Sequence, residues 1–214
     1  MAFIGNTTTL TTEGVKTLAE LRDTPFKAII NGDIFPCHEG THYEANRDVY
    51  FLKTGIGHNA FLTLDQELLR ADSIFQNVQE FRFKDKIQLI SNPLTAYEGY
   101  ENDIEFFKRA YYDSDDNFII KFTPDDYLPD LQKILLRLGV LSTHSVSTSS
   151  IAIPPEYQQT FLDLITGQKV ADVHKPKNTI FKKLEYFDTL PTYSCVIEGA
   201  HAFDADCLYA RDNS

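Results

Sequence analysis

The alternation of apolar and polar residues near both ends of the chain is the feature that most limits its fold. This pattern, typical of half-buried strands, occurs in residues 26–37, 49–64 and 81–90 and again in residues 179–187, 193–197 and 205–210. Asn31 and Gly32 predict a tight hairpin turn in the first run, because both residues tolerate positive φ angles. Either set of strands can bury its apolar face only by pairing with the other. We therefore expect both ends of the chain to lie in one β-rich domain.

Between these two segments the pattern changes to that of an α/β unit. Leucines spaced by three or four residues predict a helix over residues 128–138, and further helices are predicted at residues 103–112 and 155–167. A strand at residues 118–122 and a hairpin at residues 142–153 complete the unit. One short helix is also predicted early in the chain, at residues 15–21. The sequence thus predicts a β-rich domain made of residues 2–91 and 171–213, with residues 92–170 inserted through adjacent loops.

Composition excludes several classes of protein. The 214 residues are 43% hydrophobic, enough for a packed core, yet no run approaches the roughly 18 apolar residues of a membrane span. The first residues lack the basic head and apolar stretch of a signal peptide. Three cysteines without a CxxC pair support neither a disulfide framework nor a zinc site, so we expect a reducing, cytoplasmic compartment. The net charge of −11 argues against constitutive nucleic-acid binding.

Three motifs carry a family resemblance. Residues 193–197 (YSCVI) and 199–205 (GAHAFDA), with Asn213 downstream, resemble the C-terminal splicing motif of inteins. Residues 2–11 (AFIGNTTTLT) resemble the N-terminal intein motif, and residues 62–66 (LTLDQ) resemble the Leu-Thr-Pro-Asp-His motif that lies between them. Because all three occur in the family's order over both β segments, the chain resembles an intein. The resemblance implies a mainly β, horseshoe-like Hint (Hedgehog–intein) fold.

The resemblance also implies an autocatalytic activity, protein splicing, and assigns its residues. Ser214 corresponds to the hydroxyl nucleophile that takes up the upstream acyl group, and Asn213 to the residue whose carboxamide cyclises and cuts the downstream junction. His201 matches the histidine that transfers a proton in that cleavage, and Thr63 the threonine that positions and polarises the upstream peptide. No cofactor is expected, the partners are the covalently attached host-protein flanks, and we expect a monomer.

Departures from the family pattern are as informative. The first intein residue, a cysteine or serine nucleophile in the family, is Ala2 here, so the resemblance implies a precursor whose splicing is blocked. Either the alanine was introduced to trap the precursor, or it is a natural variant in which the downstream nucleophile attacks directly. Natural variants typically pair alanine with a downstream cysteine, so Ser214 favours the first explanation.

Three further positions differ from the family pattern. Gln66 replaces a histidine and cannot transfer a proton at neutral pH, which predicts weaker upstream activation. Asp212 replaces the usual penultimate histidine and Ser194 replaces an aspartate. Cyclisation of Asn213 would then depend on His201 and Asp212, and we expect slow C-terminal cleavage.

The inserted segment has a resemblance of its own. Residues 106–116 (FFKRAYYDSDD) resemble the LAGLIDADG helix of homing endonucleases, and residues 131–140 (LQKILLRLGV) resemble the second helix of that family's half domain. In an active member Asp115 would bind Mg²⁺, whereas splicing needs no metal. Only one such motif is present. Residues 92–169 hold 6 Lys and Arg against 12 Asp and Glu, and this negative charge is unfavourable for contacts with DNA phosphates. We therefore predict a degenerate insert without nuclease activity, and DNA is not an expected partner.

Three alternatives to splicing remain open on the sequence: a Hint domain that only cleaves its C-terminal junction, a site-specific DNA endonuclease acting at the intein insertion site, and an inert binding module.

Overall fold

A computed structural model describes residues 1–90, 97–113, 118–123, 128–168 and 177–214. The strands in these residues are β1 (Phe3–Ile4), β2 (Thr8–Thr11), β3 (Gly14–Thr17), β4 (Phe26–Ile30), β5 (Asp33–Cys37), β6 (Thr41–Thr54), β7 (Asn59–Leu62), β8 (Glu67–Leu69), β9 (Phe75–Asn77), β10 (Lys86–Leu89), β11 (Ile119–Lys121), β12 (Thr143–Ser145), β13 (Ser150–Ala152), β14 (Lys177–Cys195), β15 (Ala202–Ala205) and β16 (Leu208–Arg211). The helices are α1 (Tyr100–Tyr112), α2 (Leu128–Arg137) and α3 (Pro155–Thr166).

The strands of the two β-rich segments combine in one large sheet. Its order is β1-β7-β6-β14-β10-β16-β8-β9, with β15 paired to β16, while β3-β2-β4-β5 form a second, four-stranded sheet. Strands β14 and β16 come from the end of the chain and alternate in this order with strands from its beginning. The mainly β fold is as predicted, and both segments contribute strands to the same sheet.

The N-terminal strand is held in place by both parts of the chain. Phe3 of β1 pairs with Leu62 of β7 on one side and with Tyr193 of β14 on the other. Its ring, fully buried, meets the ring of Phe203 edge-on at a centroid distance of 5.5 Å. This packing anchors the first residues of the chain beside the strands that lead to its end.

The middle segment packs its helices against the three-stranded sheet β11-β13-β12. Its own apolar cluster includes Phe107, Ile120 and Phe161, all fully buried, and is distinct from the cluster of the large sheet. The predicted helices, the strand and the hairpin are therefore present, whereas the predicted boundaries at residues 92 and 170 lie outside the described residues. On either side of the segment, Leu89 of β10 pairs with Lys177 of β14, so the strands that flank it are neighbours in the large sheet.

Helix α2 joins the middle segment to the large sheet. Arg137 Nε lies 2.9 Å from Asp204 Oδ2, and the two side chains are 1% and 0% exposed. One turn earlier Lys133 Nζ lies 2.8 Å from Asp206 Oδ1, and Gln132 donates to the carbonyl of Ile56 at 2.9 Å. The segment is thus attached through polar contacts to β15, to the turn that follows it and to the loop between β6 and β7.

Two local predictions were wrong. Residues 15–21 form strand β3 and a turn instead of a helix, because Val15 pairs with Leu10 across a hairpin that starts at Gly14. Gly14 has a φ of 96°, which the hairpin needs and an L side chain would resist. The two strands predicted at residues 179–187 and 193–197 are one continuous strand, β14, whose bulges absorb the interruption.

Candidate functional site

Thr63, directly after β7, binds both the N–H and the carbonyl of Ala2. The amide N–H of Ala2 donates to the Thr63 hydroxyl oxygen at 3.1 Å. The Ala2 carbonyl accepts from the Thr63 amide at 3.0 Å and from its hydroxyl at 3.1 Å. Ala2 is 1% exposed, so these contacts lie inside the protein. Thr63 therefore fixes the nitrogen of the peptide that joins Met1 to Ala2 and the carbonyl of the peptide that follows it.

Asp65, two residues after Thr63, contacts Met1 on the other side of the peptide that joins Met1 to Ala2. Asp65 Oδ2 accepts from the Met1 nitrogen at 3.1 Å and pairs with Arg47 at 3.1 Å. Although burial opposes ionisation, hydrogen bonds from Thr63, the Met1 nitrogen and Arg47 lower the pKa of Asp65 to about 2. A fixed negative charge therefore lies beside the upstream junction at neutral pH.

Gln66 is buried and binds backbone on two strands. Its side-chain nitrogen donates to the carbonyl of Glu67 and to the carbonyl of Arg211, both at 3.0 Å. Both amide hydrogens are thereby used, and Arg211 is the last residue of β16, immediately before Asp212. The arrangement makes Gln66 a structural link between the upstream and downstream parts of the site.

At the downstream end the hydroxyl of Ser214 lies between an imidazole and a carboxylate. Its oxygen is 2.8 Å from Nδ1 of His201 and 2.6 Å from Oδ1 of Asp212. The hydroxyl can donate to Asp212 while accepting from a protonated Nδ1, or donate to a deprotonated Nδ1. Such a hydroxyl can lose its proton to the imidazole when it attacks an acyl group.

Asp212 is buried, and hydrogen bonds fix both of its carboxylate oxygens. Oδ2 accepts from the backbone N–H of Ile197 at 2.7 Å, and Oδ1 accepts from the amide and hydroxyl of Ser214. With 1% exposure, the carboxylate cannot exchange these donors for water without moving. Asp212 therefore sets the position of the backbone just before and just after Asn213.

The end of β14 brings the two junctions together. Tyr193 pairs with Phe3, the residue after Ala2, and Cys195 accepts at its carbonyl a hydrogen bond of 3.1 Å from the amide of Asn213. The residue after Ala2 and the residue before Ser214 therefore both bind backbone within residues 193–195. The structure assembles Ala2, Thr63, His201, Asp212, Asn213 and Ser214 around the end of one strand.

One residue of the site could not be found from the sequence. Glu44 Oε1 accepts from the side-chain nitrogen of Asn213 at 3.4 Å and also from the hydroxyl of Ser194. Glu44 lies in β6, on the strand that pairs with the end of β14. An acidic residue in an exposed strand has no distinguishing sequence signal, so only the pairing of the strands identifies it.

The three cysteines are free and buried. Burial raises the pKa of Cys37 to about 11 and raises the pKa of Cys195 well above the ordinary value of a thiol. Burial also raises the pKa of Cys207. Protonated thiols are poor nucleophiles, so none of the three is poised to attack a peptide.

The metal ligand predicted for an active nuclease, Asp115, lies outside the described residues. Within the described residues no group of three or more His, Cys, Asp or Glu side chains is arranged to hold a metal ion. None of the helices in these residues combines the length and apolar character needed to cross a membrane.

The chain matches no protein-family model and no curated protein, but it does resemble solved structures. A DnaB intein from Synechocystis sp. PCC 6803 superposes with a TM-score of 0.56 at 11% identity, covering 100% of this chain and 99% of that one. A bacterial intein-like domain from Clostridium thermocellum gives 0.51 at 11% identity, with 100% and 99% coverage. The gp41-1 intein gives 0.50 at 8% identity, with 99% and 98% coverage.

These likenesses establish the class of fold. The chain has a mainly β, Hint-like fold of the kind found in inteins, and the similarity extends over its full length. At such low identity the likeness concerns the fold alone. The comparisons give no support to the LAGLIDADG interpretation of the middle segment, which stays a prediction.

Proposed function

We propose that this chain is a protein-splicing domain, an intein, that cuts itself out of a host protein attached covalently to both of its ends. The observation that carries this proposal is the position of Asn213 and Ser214. The carboxamide of Asn213 and the hydroxyl of Ser214 lie beside the groups that could serve their chemistry, next to the strand that pairs with the residues following Ala2.

The proposed downstream reaction begins at Ser214. Where residue 2 supplies a nucleophile, the upstream flank is first carried on it as an ester or thioester. His201 removes the proton of the Ser214 hydroxyl as its oxygen attacks that acyl carbonyl. The bond to the nucleophile of residue 2 breaks, that nucleophile leaves and takes up a proton, and the flank is then held by Ser214 as an ester. The Asp212 carboxylate, 2.6 Å from the hydroxyl, orients it for this attack. The contact of 2.8 Å between His201 and Ser214 supports the assignment of the imidazole as the base.

Cyclisation of Asn213 would then release the joined flanks. The side-chain nitrogen attacks the backbone carbonyl of Asn213 itself, a five-membered ring closes, and the peptide bond to Ser214 breaks. An intramolecular attack of this kind gains from a large effective molarity, about 10⁵–10⁸ M for well-oriented groups. The amine of Ser214 receives its proton from His201, and the ester then rearranges to an amide bond between the flanks.

The upstream half of the reaction is blocked in the sequence as it stands. Ala2 carries no nucleophile, so the acyl shift that would convert the first peptide bond to an ester or thioester cannot occur. The Thr63 hydroxyl nevertheless accepts from the amide of that peptide, and the amide and hydroxyl of Thr63 bind the carbonyl of Ala2 that follows it. We therefore propose that restoring cysteine at position 2 restores the upstream step, with Gln66 limiting its rate.

The presence of Ala2 favours a second candidate function, cleavage of the C-terminal junction alone. Both candidates are tested by placing the chain between two unrelated flanking proteins, with and without Ala2→Cys, and following intact masses over time. Ligated flanks from the cysteine form support splicing. Separated flanks without ligation support the second candidate, and no change of mass overturns both.

For the middle segment we propose a degenerate LAGLIDADG half domain that covers the splicing core and neither binds nor cuts DNA. The acidic excess of residues 92–169 supports this, since phosphate contacts need Lys and Arg. Splicing would need no cofactor, and Mg²⁺ would matter only to an active nuclease. Incubation with Mg²⁺ and DNA carrying the uninterrupted insertion site tests the rival function. Strand breaks that depend on Mg²⁺ would overturn the proposal.

A further inference from the structure

Glu44 lies at an irregularity in the pairing of the two longest strands, β6 and β14. In the register of β6 and β14, Tyr193 pairs with Tyr43 and Thr192 pairs with Ala45, so Glu44 has no partner opposite it. It is the extra residue of a β-bulge, a feature that bends a strand and redirects a side chain. At this bulge the side chain of Glu44 extends toward the end of the chain.

The carboxylate of Glu44 contacts two polar side chains there. Oε1 accepts hydrogen bonds from the hydroxyl of Ser194 and from Nδ2 of Asn213, the latter at 3.4 Å. Ser194 is 6% exposed and lies on β14 opposite the bulge, so its hydroxyl fixes the position of the carboxylate. In the described residues no Lys or Arg forms an ion pair with Glu44. Its contacts are therefore directed at the downstream junction and not at a surface cation.

We infer that Glu44 is a catalytic residue for cyclisation of Asn213, an inference that rests on the proposed function. In this step the bond between Nδ2 and the backbone carbonyl carbon of Asn213 forms while the bond from that carbon to the nitrogen of Ser214 breaks. Nδ2 loses one proton, which passes to Oε1 of Glu44. The departing nitrogen of Ser214 gains one from His201. The products are a succinimide at residue 213 and a free amine at Ser214, so protons and electrons balance.

The geometry suits this role in two ways. A carboxylate accepts hydrogen bonds only, so it holds the Asn213 carboxamide with its nitrogen, not its oxygen, toward Glu44. The same oxygen already contacts the hydrogen that must leave Nδ2. Catalytic hydrogen bonds are often long before reaction and shorten in the transition state, which fits the 3.4 Å separation.

The test uses the full chain with a downstream flanking protein, and it retains Ala2 so that only C-terminal release occurs. We compare Glu44→Gln and Glu44→Ala with the unaltered chain. Glu185→Gln, an exposed glutamate on β14 that pairs with Lys183, is the matched control. Loss of a proton acceptor predicts release slower by about a hundredfold in both Glu44 variants and unchanged in the control. The released chain should be one water lighter than its hydrolysed form, as expected for a succinimide.

Two comparisons separate the possible failures. Glutamine retains an acceptor for the Asn213 nitrogen but is a far weaker base than carboxylate, so a Glu44→Gln variant that releases the flank at the unaltered rate overturns the catalytic role and leaves the proposed function intact. An unaltered chain that never releases its flank overturns the proposed function, and the role of Glu44 with it. The ¹⁵N resonance of the Asn213 side-chain amide reports the contact independently of cleavage. It should shift in Glu44→Gln and stay in place in Glu185→Gln, and an unmoved resonance in both would overturn the contact.

Discussion

The hydroxyl of Thr63 lies 3.1 Å from the amide nitrogen of Ala2 and 3.1 Å from its carbonyl oxygen. One side chain thus contacts both polar atoms of the first residue that follows the upstream junction. Because the surroundings are buried, this hydroxyl is a fixed dipole that water cannot replace.

Replacing that hydroxyl by a methyl group should impair the upstream step selectively. In the Ala2→Cys form with flanks, Thr63→Val should slow thiol-induced cleavage at the upstream junction by about a hundredfold, since the scissile amide loses the acceptor that positions it and a small misplacement costs that much in rate. Release of the downstream flank should keep its rate. Thr166→Val, which removes an exposed hydroxyl at the end of α3, serves as the control. Equal slowing at both junctions would indicate a general loss of fold.

Asp212 should matter to both stability and cleavage. Asparagine at position 212 has one carbonyl oxygen, so it cannot accept from Ile197 on one side and from Ser214 on the other. The unmatched buried donor should cost about 1–3 kcal/mol in the free energy of unfolding. Displacement of Asn213 and Ser214 should slow downstream release by about tenfold to a hundredfold.

Urea denaturation and timed gel analysis of Asp212→Asn measure these two effects. Asp188→Asn, an exposed aspartate on β14 whose side chain contacts only the neighbouring Thr189 amide among the hydrogen bonds described, controls for the change of charge. Normal release from Asp212→Asn would exclude Asp212 from the downstream mechanism.

The buried pair of Arg137 and Asp204 should stabilise the attachment of the middle segment. Removing one partner leaves an unpaired buried charge, so Arg137→Met should lower the free energy of unfolding by about 3–5 kcal/mol. Adding Asp204→Asn should recover part of the loss, because it removes the unpaired charge while its oxygen still accepts from the amide of Cys207. A double-mutant cycle in urea measures the coupling. Additive losses from the two substitutions would contradict this account.

His58 should make the protein less stable in acid. It is 2% exposed, and a ring nitrogen contacts the carbonyl of Asp206, which can only accept, so that nitrogen carries hydrogen. Burial, reinforced by the positive charge of Lys133, lowers the pKa of His58 to about 4 from an ordinary 6.5. The unfolded chain therefore binds the proton more readily. The contribution of His58 to the free energy of unfolding is fully present above pH 6.5 and is lost as the pH falls toward 4.

The loss attributable to His58 should be about 3 kcal/mol between neutral pH and pH 4. Unfolding free energies of the unaltered chain and of His58→Gln, measured across this range, give that difference directly, since the carboxylates titrate in both. His38→Gln changes an exposed histidine and should leave the pH dependence as it is. Parallel curves for the unaltered chain and His58→Gln would show that this imidazole does not govern acid stability.

Local chemistry made part of the fold predictable. Asn31 and Gly32 adopt positive φ angles of 51° and 93° in the hairpin that their sequence predicts, and Gly167 ends α3 with a φ of 70°. Residues 15–21 misled the prediction, because the spacing of Val15, Leu18 and Leu21 suits a helix face as well as a strand and turn. Only the pairing partner of Val15 distinguishes the two.

Some residues of the candidate site could likewise be predicted from the sequence, and others could not. Thr63, His201, Asp212, Asn213 and Ser214 were predicted because they lie in contiguous motifs, and the structure places them around the end of β14. Gln66 was predicted to act weakly on the upstream peptide, whereas its hydrogen bonds connect two strands. Glu44 depends on strand register, a long-range property that a single sequence does not encode locally.

The pairing of Leu89 with Lys177 has a practical consequence for shortening this protein. A two-residue turn joining β10 directly to β14 would bypass the entire middle segment without altering the strand order of the large sheet. Such a minimal chain would lose the guanidinium that neutralises Asp204, and it would open the apolar surface now covered by Leu136. Miniaturisation therefore requires repairs where the segment now attaches: uncharged residues at 204 and 206, which lose Arg137 and Lys133, and polar side chains on the surface that Leu136 now covers.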